Sequence, residues 1–177
     1  MAKLYIPIGI SGSGKSTYGE KLHAQQRELK IVCPDDIRKE MTGSISDQSK
    51  NKQVFEEAFK RTEDFLHDDV SVYFSAMNTN KKTIQDLIKI ADASGSEIVV
   101  ILFEDSRNWR LCFDRVDNDV SNGVDRSNTS SVVTEDGRPL IEMMSDRYKT
   151  FVDSVLPQIL RDRKDVLLMQ LSSNKVA

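Results

Sequence analysis

Two cysteines and two histidines are the only sulfhydryl and imidazole groups in the 177 residues, and their placement excludes most of the chemistry such groups perform. Cys33 and Cys112 lie far apart and belong to no C-x-x-C or Cys/His ligand spacing, so neither a zinc site nor a dithiol redox centre is expected. Reduced, structural thiols of a cytoplasmic protein are the reading that remains. His23 and His67 have no metal-ligand partner at helical spacing and read as surface residues. No charge of one sign dominates: 25 Lys+Arg against 28 Asp+Glu leave a net charge of -3, which gives no overall attraction to polyanions. Any nucleic acid would have to be met by a local basic groove. No apolar run approaches the roughly 20 residues of a membrane span. The opening Met-Ala-Lys-Leu-Tyr-Ile-Pro-Ile-Gly carries too short an apolar stretch for a signal peptide. Repeats and low-complexity tracts are also missing. With 38% apolar residues, residues 1–177 are expected to form one domain with one continuous core.

What is present is an alternation. Leu4–Ile8, Leu29–Cys33, Val70–Phe74, Ile98–Phe103 and Val166–Leu171 are apolar runs of strand length. Between them, Lys15–Gln26, Gln53–Leu66, Thr83–Ser94 and Pro139–Leu160 have helical spacing, the third closed by Gly95 in a C-cap position. Strand and helix in turn predict an α/β fold, a five-stranded parallel sheet with helices on its faces. Asp117 to Arg138 breaks the pattern: it is rich in Asn, Asp, Ser and Gly with no sustained period. It reads as a long loop, either a functional lid or a disordered insertion.

Gly9-Ile-Ser-Gly-Ser-Gly14-Lys15-Ser16 satisfies G-x-x-x-x-G-K-[ST] and falls between the strand ending at Ile8 and the helix starting near Lys15. Glycines there allow close approaches and unusual torsions, so that successive N–H groups of Gly9, Ser11, Gly12, Ser13 and Gly14 converge on phosphate oxygens at a helix N-terminus. Lys15 is expected on the β- and γ-phosphates, Ser16 as the Mg²⁺ ligand, and Thr17 as a flanking cap or packing residue. ATP or GTP with Mg²⁺ is the implied ligand.

A triphosphate site alone does not define a phosphotransferase. Cys33-Pro34-Asp35-Asp36-Ile37-Arg38 follows the second strand, and a parallel sheet delivers that segment into the crevice beside the phosphate loop. Asp35 is suited to orient a hydroxyl and accept its proton, Arg38 to hold an anionic acceptor. The competing reading makes Asp35 or Asp36 a helix cap with Arg38 in solvent.

At these residues the chain resembles the P-loop kinase domain of phage-type 5′-polynucleotide kinases and their small-kinase relatives. Gly-Ile-Ser-Gly-Ser-Gly-Lys-Ser-Thr after a strand, Asp35-Asp36-Ile37-Arg38, Asn78-Thr79-Asn80 after the third strand, and Arg138-Pro139 through Tyr148-Lys149 carry the resemblance. It implies that Asp35 is the general base for a 5′-hydroxyl, that Arg38 contacts acceptor phosphate, and that lid arginines clamp the nucleotide. Arg115 and Arg126, in a lid spanning about residues 115–138, are the candidates; Arg107 and Arg110 read as structural or solvated. Two departures stand out. Where the family commonly has an Asp in an Asp-Thr-Asn stretch, this chain reads Phe74-Ser75-Ala76-Met77-Asn78, leaving Ser75 or Asn78 to serve. The family's compact Arg-Asn-x-x-Arg lid appears here only as Arg115-Val116-Asp117-Asn118 before the long polar stretch.

The expected activity is transfer of the γ-phosphoryl group of ATP to a 5′-hydroxyl end of DNA or RNA, in a cytoplasm (that of the host, for a phage protein), by a monomer or homo-oligomer. A nucleoside, nucleotide or sugar kinase on the same scaffold, and a P-loop ATPase switch, are the alternatives; no apolar run ends in Asp-Glu, which counts against the switch. Lys81-Lys82 could meet a phosphate backbone or be merely exposed, and Trp109 could stack on a base or pack beneath the lid. No Asp-x-Asp-Gly-Thr segment occurs, so no attached phosphatase and no 3′-end healing are expected.

Overall fold

The computed structural model describes residues 1–126 and 132–173. The centre of the expected lid insertion, residues 127–131, lies outside the described residues. Five strands, β1 (Lys3–Ile8), β2 (Lys30–Val32), β3 (Val72–Phe74), β4 (Glu97–Phe103) and β5 (Val166–Leu171), form one sheet in the order β2-β3-β1-β4-β5. Every pairing is parallel. The expected β2 and β3 are shortened at their ends.

The chain leaves β1 to one side for β2 and β3 and returns to the other for β4, so β1 is where the order reverses. At such a point the connections diverge and leave a crevice beyond the carboxyl ends of the strands. The Gly9–Ser16 segment emerges there.

Side chains alternate across the pleat. Leu4, Ile6, Ile8, Val72, Phe74, Ile98, Val100 and Leu102 face one way and are buried with residues of α3 (Asn51–His67), α4 (Lys81–Ser94) and α6 (Leu140–Thr150), among them Val54, Ala58, Leu87 and Tyr148. Tyr5, Tyr73, Val99, Ile101 and Phe103 face the other way, towards Leu22 and Tyr18 of α1 (Lys15–Gln25). On that face Gly19 lets α1 lie against the sheet: a Cβ there would stand 2.7 Å from the Tyr73 ring. The Tyr73 hydroxyl donates to the Lys15 carbonyl at 2.8 Å, tying the start of α1 to β3.

The helix expected over Pro139–Leu160 is interrupted. It runs as α6, widens into a π-turn at Phe151–Val155 and ends as α7 (Leu156–Ile159). Pro157 has no N–H to give and its ring crowds the carbonyl four residues back, which accounts for the widened turn. Gly95 closes α4 in the left-handed conformation, as its position predicts.

One expectation is corrected. The polar stretch read as a loop from Asp117 begins inside a helix, α5 (Trp109–Ser121). Its buried residues, Cys112 and Val116, are one turn apart, and Trp109 and Phe113 pack on the same core at helical spacing; only the Asp- and Asn-rich end of the helix read as loop. Asn108 caps it, accepting from the Leu111 N–H at 3.3 Å. After the undescribed residues, Thr134 to Arg138 make a tight turn closed by Thr134 N–H to the Arg138 carbonyl at 2.8 Å. Among the described residues no helix is long and apolar enough to cross a membrane.

Candidate active site

Three of the loop glycines are required by geometry. A Cβ on Gly9 would lie 2.6 Å from Ser13 Oγ and 2.9 Å from Phe103 Cβ. Gly12, at φ +78°, would place one 2.3 Å from the Cys112 carbonyl oxygen, so loop and α5 meet backbone to backbone. Gly14, at φ +97°, is the left-handed N-cap residue of α1, and no side chain caps that helix. The leading N–H groups of α1 therefore lack intrahelical acceptors and carry the positive end of its dipole. The loop is further pinned by Gly9 N–H to the Met77 carbonyl at 3.1 Å and Ile10 N–H to Ser106 Oγ at 3.1 Å. Ser13 Oγ is buried without a hydrogen-bond partner among the described residues. That hydroxyl and the uncapped amides fit a phosphate group.

Lys15 Nζ turns back on this loop and donates to the Ile10 carbonyl at 2.7 Å. Burial lowers its pKa from the ordinary lysine value to about 8, and the positive charge of Arg126 adds to the effect while Asp35 opposes it. Asp35 and Arg126, predicted from separate parts of the sequence, thus both lie within electrostatic reach of Lys15. Ser16 and Thr17 are exposed on the first turn of α1. The Ser16 hydroxyl is the group that would hold a Mg²⁺ ion, which would supply charge neutralisation for bound phosphates. Among the described residues no cluster of three His, Cys, Asp or Glu groups is placed to hold a metal ion.

Asp35 sits in the first turn of α2 (Pro34–Thr42), whose N-cap is Cys33 with no side-chain cap. Neither Asp35 nor Asp36 is the cap. The Asp35 carboxylate, about half exposed, pairs with the Arg38 guanidinium one turn on. Arg38 itself is buried, 4% exposed, and is neither the solvated arginine of one reading nor open to the crevice as the other requires. Its Nη1 also donates to the Ile45 carbonyl at 3.3 Å and its Nη2 to Asn51 Oδ1 at 3.0 Å. Arg38 therefore joins Asp35 to the α2–α3 connection and the start of α3. Nothing in local spacing marks Asn51 for this contact.

At the end of β3, Asn78 is buried at φ +55°. Its Nδ2 donates to the Pro7 carbonyl at 2.7 Å and the Phe74 carbonyl at 3.1 Å, stitching β1 to β3 beneath the crevice. Of the two residues left to replace the absent carboxylate, Asn78 is thereby engaged in the scaffold. Ser75 is partly exposed, its N–H bonded to the Val32 carbonyl at 2.8 Å.

The two lid candidates differ. Arg126 pairs with Asp119 of α5 and acts electrostatically on Lys15. Arg115 donates Nη1 to the Gly12 carbonyl at 3.1 Å and to Asp105 Oδ2 at 2.9 Å. Arg107, read as structural or solvated, is structural: it pairs with Glu104 at 2.6 Å and Asp153 at 2.6 Å. Arg110 covers the Trp109 ring at 4.7 Å, and Trp109 packs edge-on against Phe113. Lys82 is exposed and paired with Asp86 along α4. Burial pushes the Cys33 and Cys112 thiols up to about 11, so both are neutral near pH 7. Asp105 and Ser106 belong to a 3₁₀ turn, Glu104–Arg107, that follows β4; they gave no sequence signal because only the sheet carries this turn to the phosphate loop.

A family model described as an AAA domain (AAA_33) matches residues 4–140. The chain belongs to this family. No curated protein matches the family member by sequence. Among solved structures, a chain of a Pnkp1/Rnl/Hen1 RNA repair complex aligns at TM-score 0.69 and 18% identity over 86% of this chain and 45% of that one. A chain of a Pnkp1/Rnl/Hen1 complex aligns at TM-score 0.52 and 23% identity, covering 58% and 35%. A candidate kinase from Chloroflexus aurantiacus aligns at TM-score 0.58 and 14% identity, covering 98% and 86%. This AAA-domain chain thus has the P-loop kinase fold, and it spans less than half the length of the two repair-complex chains.

Proposed function

We propose that the protein transfers the γ-phosphoryl group of Mg-ATP to the 5′-hydroxyl of a DNA or RNA end. The observation that carries this reading is Asp35: a half-exposed carboxylate, held by the buried Arg38, within electrostatic reach of the phosphate-loop lysine. A switch or simple ATPase has no need of such a group, whereas an acceptor hydroxyl needs one to orient it and take its proton.

In this scheme the loop amides and Lys15 hold the β- and γ-phosphates, and Arg126 adds positive charge where charge builds on the transferred group. Asp35 receives the hydroxyl proton as the new bond to phosphorus forms. Arg38 acts through Asp35, fixing its carboxylate, and contact with an acceptor phosphate would require its buried guanidinium to be uncovered. The fold shared with a chain of an RNA repair complex and the Asp35-Asp36-Ile37-Arg38 segment favour a polynucleotide acceptor.

The net charge of -3 favours a second reading, a nucleoside or nucleotide as the acceptor, since a long polyanion gains nothing from the overall field. Incubation with γ-labelled ATP and, separately, a 5′-hydroxyl oligonucleotide, nucleosides and mononucleotides decides between them. Label on the oligonucleotide, lost in Asp35→Asn, is the expected result. Label on nucleosides or mononucleotides alone would overturn the polynucleotide reading, and release of inorganic phosphate with no labelled acceptor would overturn the kinase reading.

A further inference from the structure

A phosphate loop works only if its N–H groups point inward and its carbonyls outward, and glycine makes that arrangement easy to lose. The Gly12 carbonyl and the Ser13 N–H belong to one planar peptide unit, so a flip about Gly12 would turn the amide away and a carbonyl dipole towards the phosphates. Gly12, at φ +78°, has no Cβ to resist such a flip. Within the loop the Ser13 N–H donates to the Ile10 carbonyl at 3.2 Å, which holds one end of this peptide; the carbonyl end is held from outside.

The Arg115 guanidinium is placed to do this. It reaches the Gly12 carbonyl from α5, one turn beyond Cys112, whose own backbone touches Gly12. The same Nη1 bonds Asp105 Oδ2 at 2.9 Å, and the Asp105 side chain is only 9% exposed. The other carboxylate oxygen, Oδ1, accepts the Ser173 N–H at 3.1 Å. Asp105 follows β4 and Ser173 follows β5, and these strands are paired from Ile98 and Val166 to Phe103 and Leu171. A chain of contacts therefore runs from the ends of two strands through Asp105 and Arg115 to the outward face of the loop. Burial alone would raise the Asp105 pKa, but the Ser173 N–H and the Arg115 charge more than offset it and hold the carboxyl below its ordinary value.

We propose that Arg115 and Asp105 form a bracket that fixes the phosphate loop from its carbonyl side, making both of them positioning residues for nucleotide. The proposal rests on the nucleotide-binding reading of Gly9–Ser16. It gives Arg115 a role distinct from a clamp on the γ-phosphate. A clamp touches what ATP has and ADP lacks; a bracket shapes the cradle that both occupy.

The test compares wild type with Arg115→Met, Asp105→Asn and the double variant. ATP and ADP affinities are measured by calorimetry, and amide hydrogen exchange of residues 9–14 is measured without nucleotide. Each single variant is expected to weaken ATP and ADP equally, by about tenfold, as loss of a charged hydrogen bond would. Loop exchange should accelerate, and the double variant should lose no more than either single one. Unchanged loop exchange in Asp105→Asn would overturn the bracket, and so would a loss confined to ATP. Should Asp105→Asn fail to fold, Ser173→Pro removes one N–H from the same chain; it should accelerate loop exchange, and no change would again overturn the proposal. Wild type that binds neither nucleotide, with exchange still faster in the variants, would refute the nucleotide reading and leave the bracket standing.

Discussion

The Lys15 ammonium, 2.7 Å from the Ile10 carbonyl oxygen, is folded onto the loop it serves. An ammonium facing a carbonyl inside a partly buried crevice is stabilised by one dipole and deprived of most of its water. Its pKa accordingly falls to about 8.

This has a pH signature with a definite sign. The free protein loses the Lys15 proton near pH 8, so Mg-ATP affinity should hold steady to about pH 7.5 and fall by about tenfold by pH 9. Stability should move the opposite way. Between about 8 and 10.5, the folded and ordinary pKa values of Lys15, the unfolded chain binds the extra proton, so this group makes unfolding less favourable as pH rises. Calorimetric titrations from pH 7 to 9.5, together with nucleotide-free melting curves of wild type and Lys15→Met, check both trends.

Asp35→Asn should lower turnover by about 100-fold or more while leaving the ATP dissociation constant within about twofold, because the proton acceptor is lost and the phosphate cradle is not. Lys15→Ala should weaken both. Steady-state kinetics with a 5′-hydroxyl oligonucleotide and separate equilibrium binding of ATP distinguish the two patterns. Full activity in Asp35→Asn would remove Asp35 from the chemistry.

Gly12→Ala should cost about 2 kcal/mol or more in stability and abolish nucleotide binding. The substitution meets two obstacles: a left-handed torsion, and a backbone carbonyl 2.3 Å from the new methyl that no side-chain rotation can clear. Chemical denaturation and ATP titration give the two readouts.

Gly19→Ala sets two effects against each other. Helix propensity favours Ala by about 1 kcal/mol, but the methyl would press on the Tyr73 ring, which is fully buried and held by its hydroxyl on the Lys15 carbonyl. Overpacking of a fixed ring costs about 1–3 kcal/mol. A net loss of stability is expected in thermal melts; a stabilised variant would show that Tyr73 is free to shift.

Strand-length apolar runs and the Gly9–Ser16 loop were legible because their signals are local: an alternation of periods, and a glycine pattern that backbone sterics dictate. The parallel five-stranded sheet followed from that alternation, and its geometry matches. α5 was masked by the polar residues at its end. Trp109, Cys112, Phe113 and Val116 have helical spacing and pack on the core, but Asp117, Asn118 and Asp119 read as the start of a loop; Cys112 packed against Gly12 and the Asn108 cap add to the helix.

From sequence alone came the phosphate cradle, the order of strands and helices, and the presence of Asp35 and Arg38 one helical turn apart. Only the tertiary structure decided what those residues face. Arg38 could have pointed to solvent, to an acceptor or inward, and the α2–α3 connection turns it inward by offering Ile45 and Asn51. Asn78 is drawn into the scaffold by carbonyls of β1 and β3, and Arg115 onto the Gly12 carbonyl by Asp105. The physical reason is common to all three. Long or polar side chains choose among partners that are distant in sequence, and a buried donor is committed to whichever acceptor the fold brings within reach.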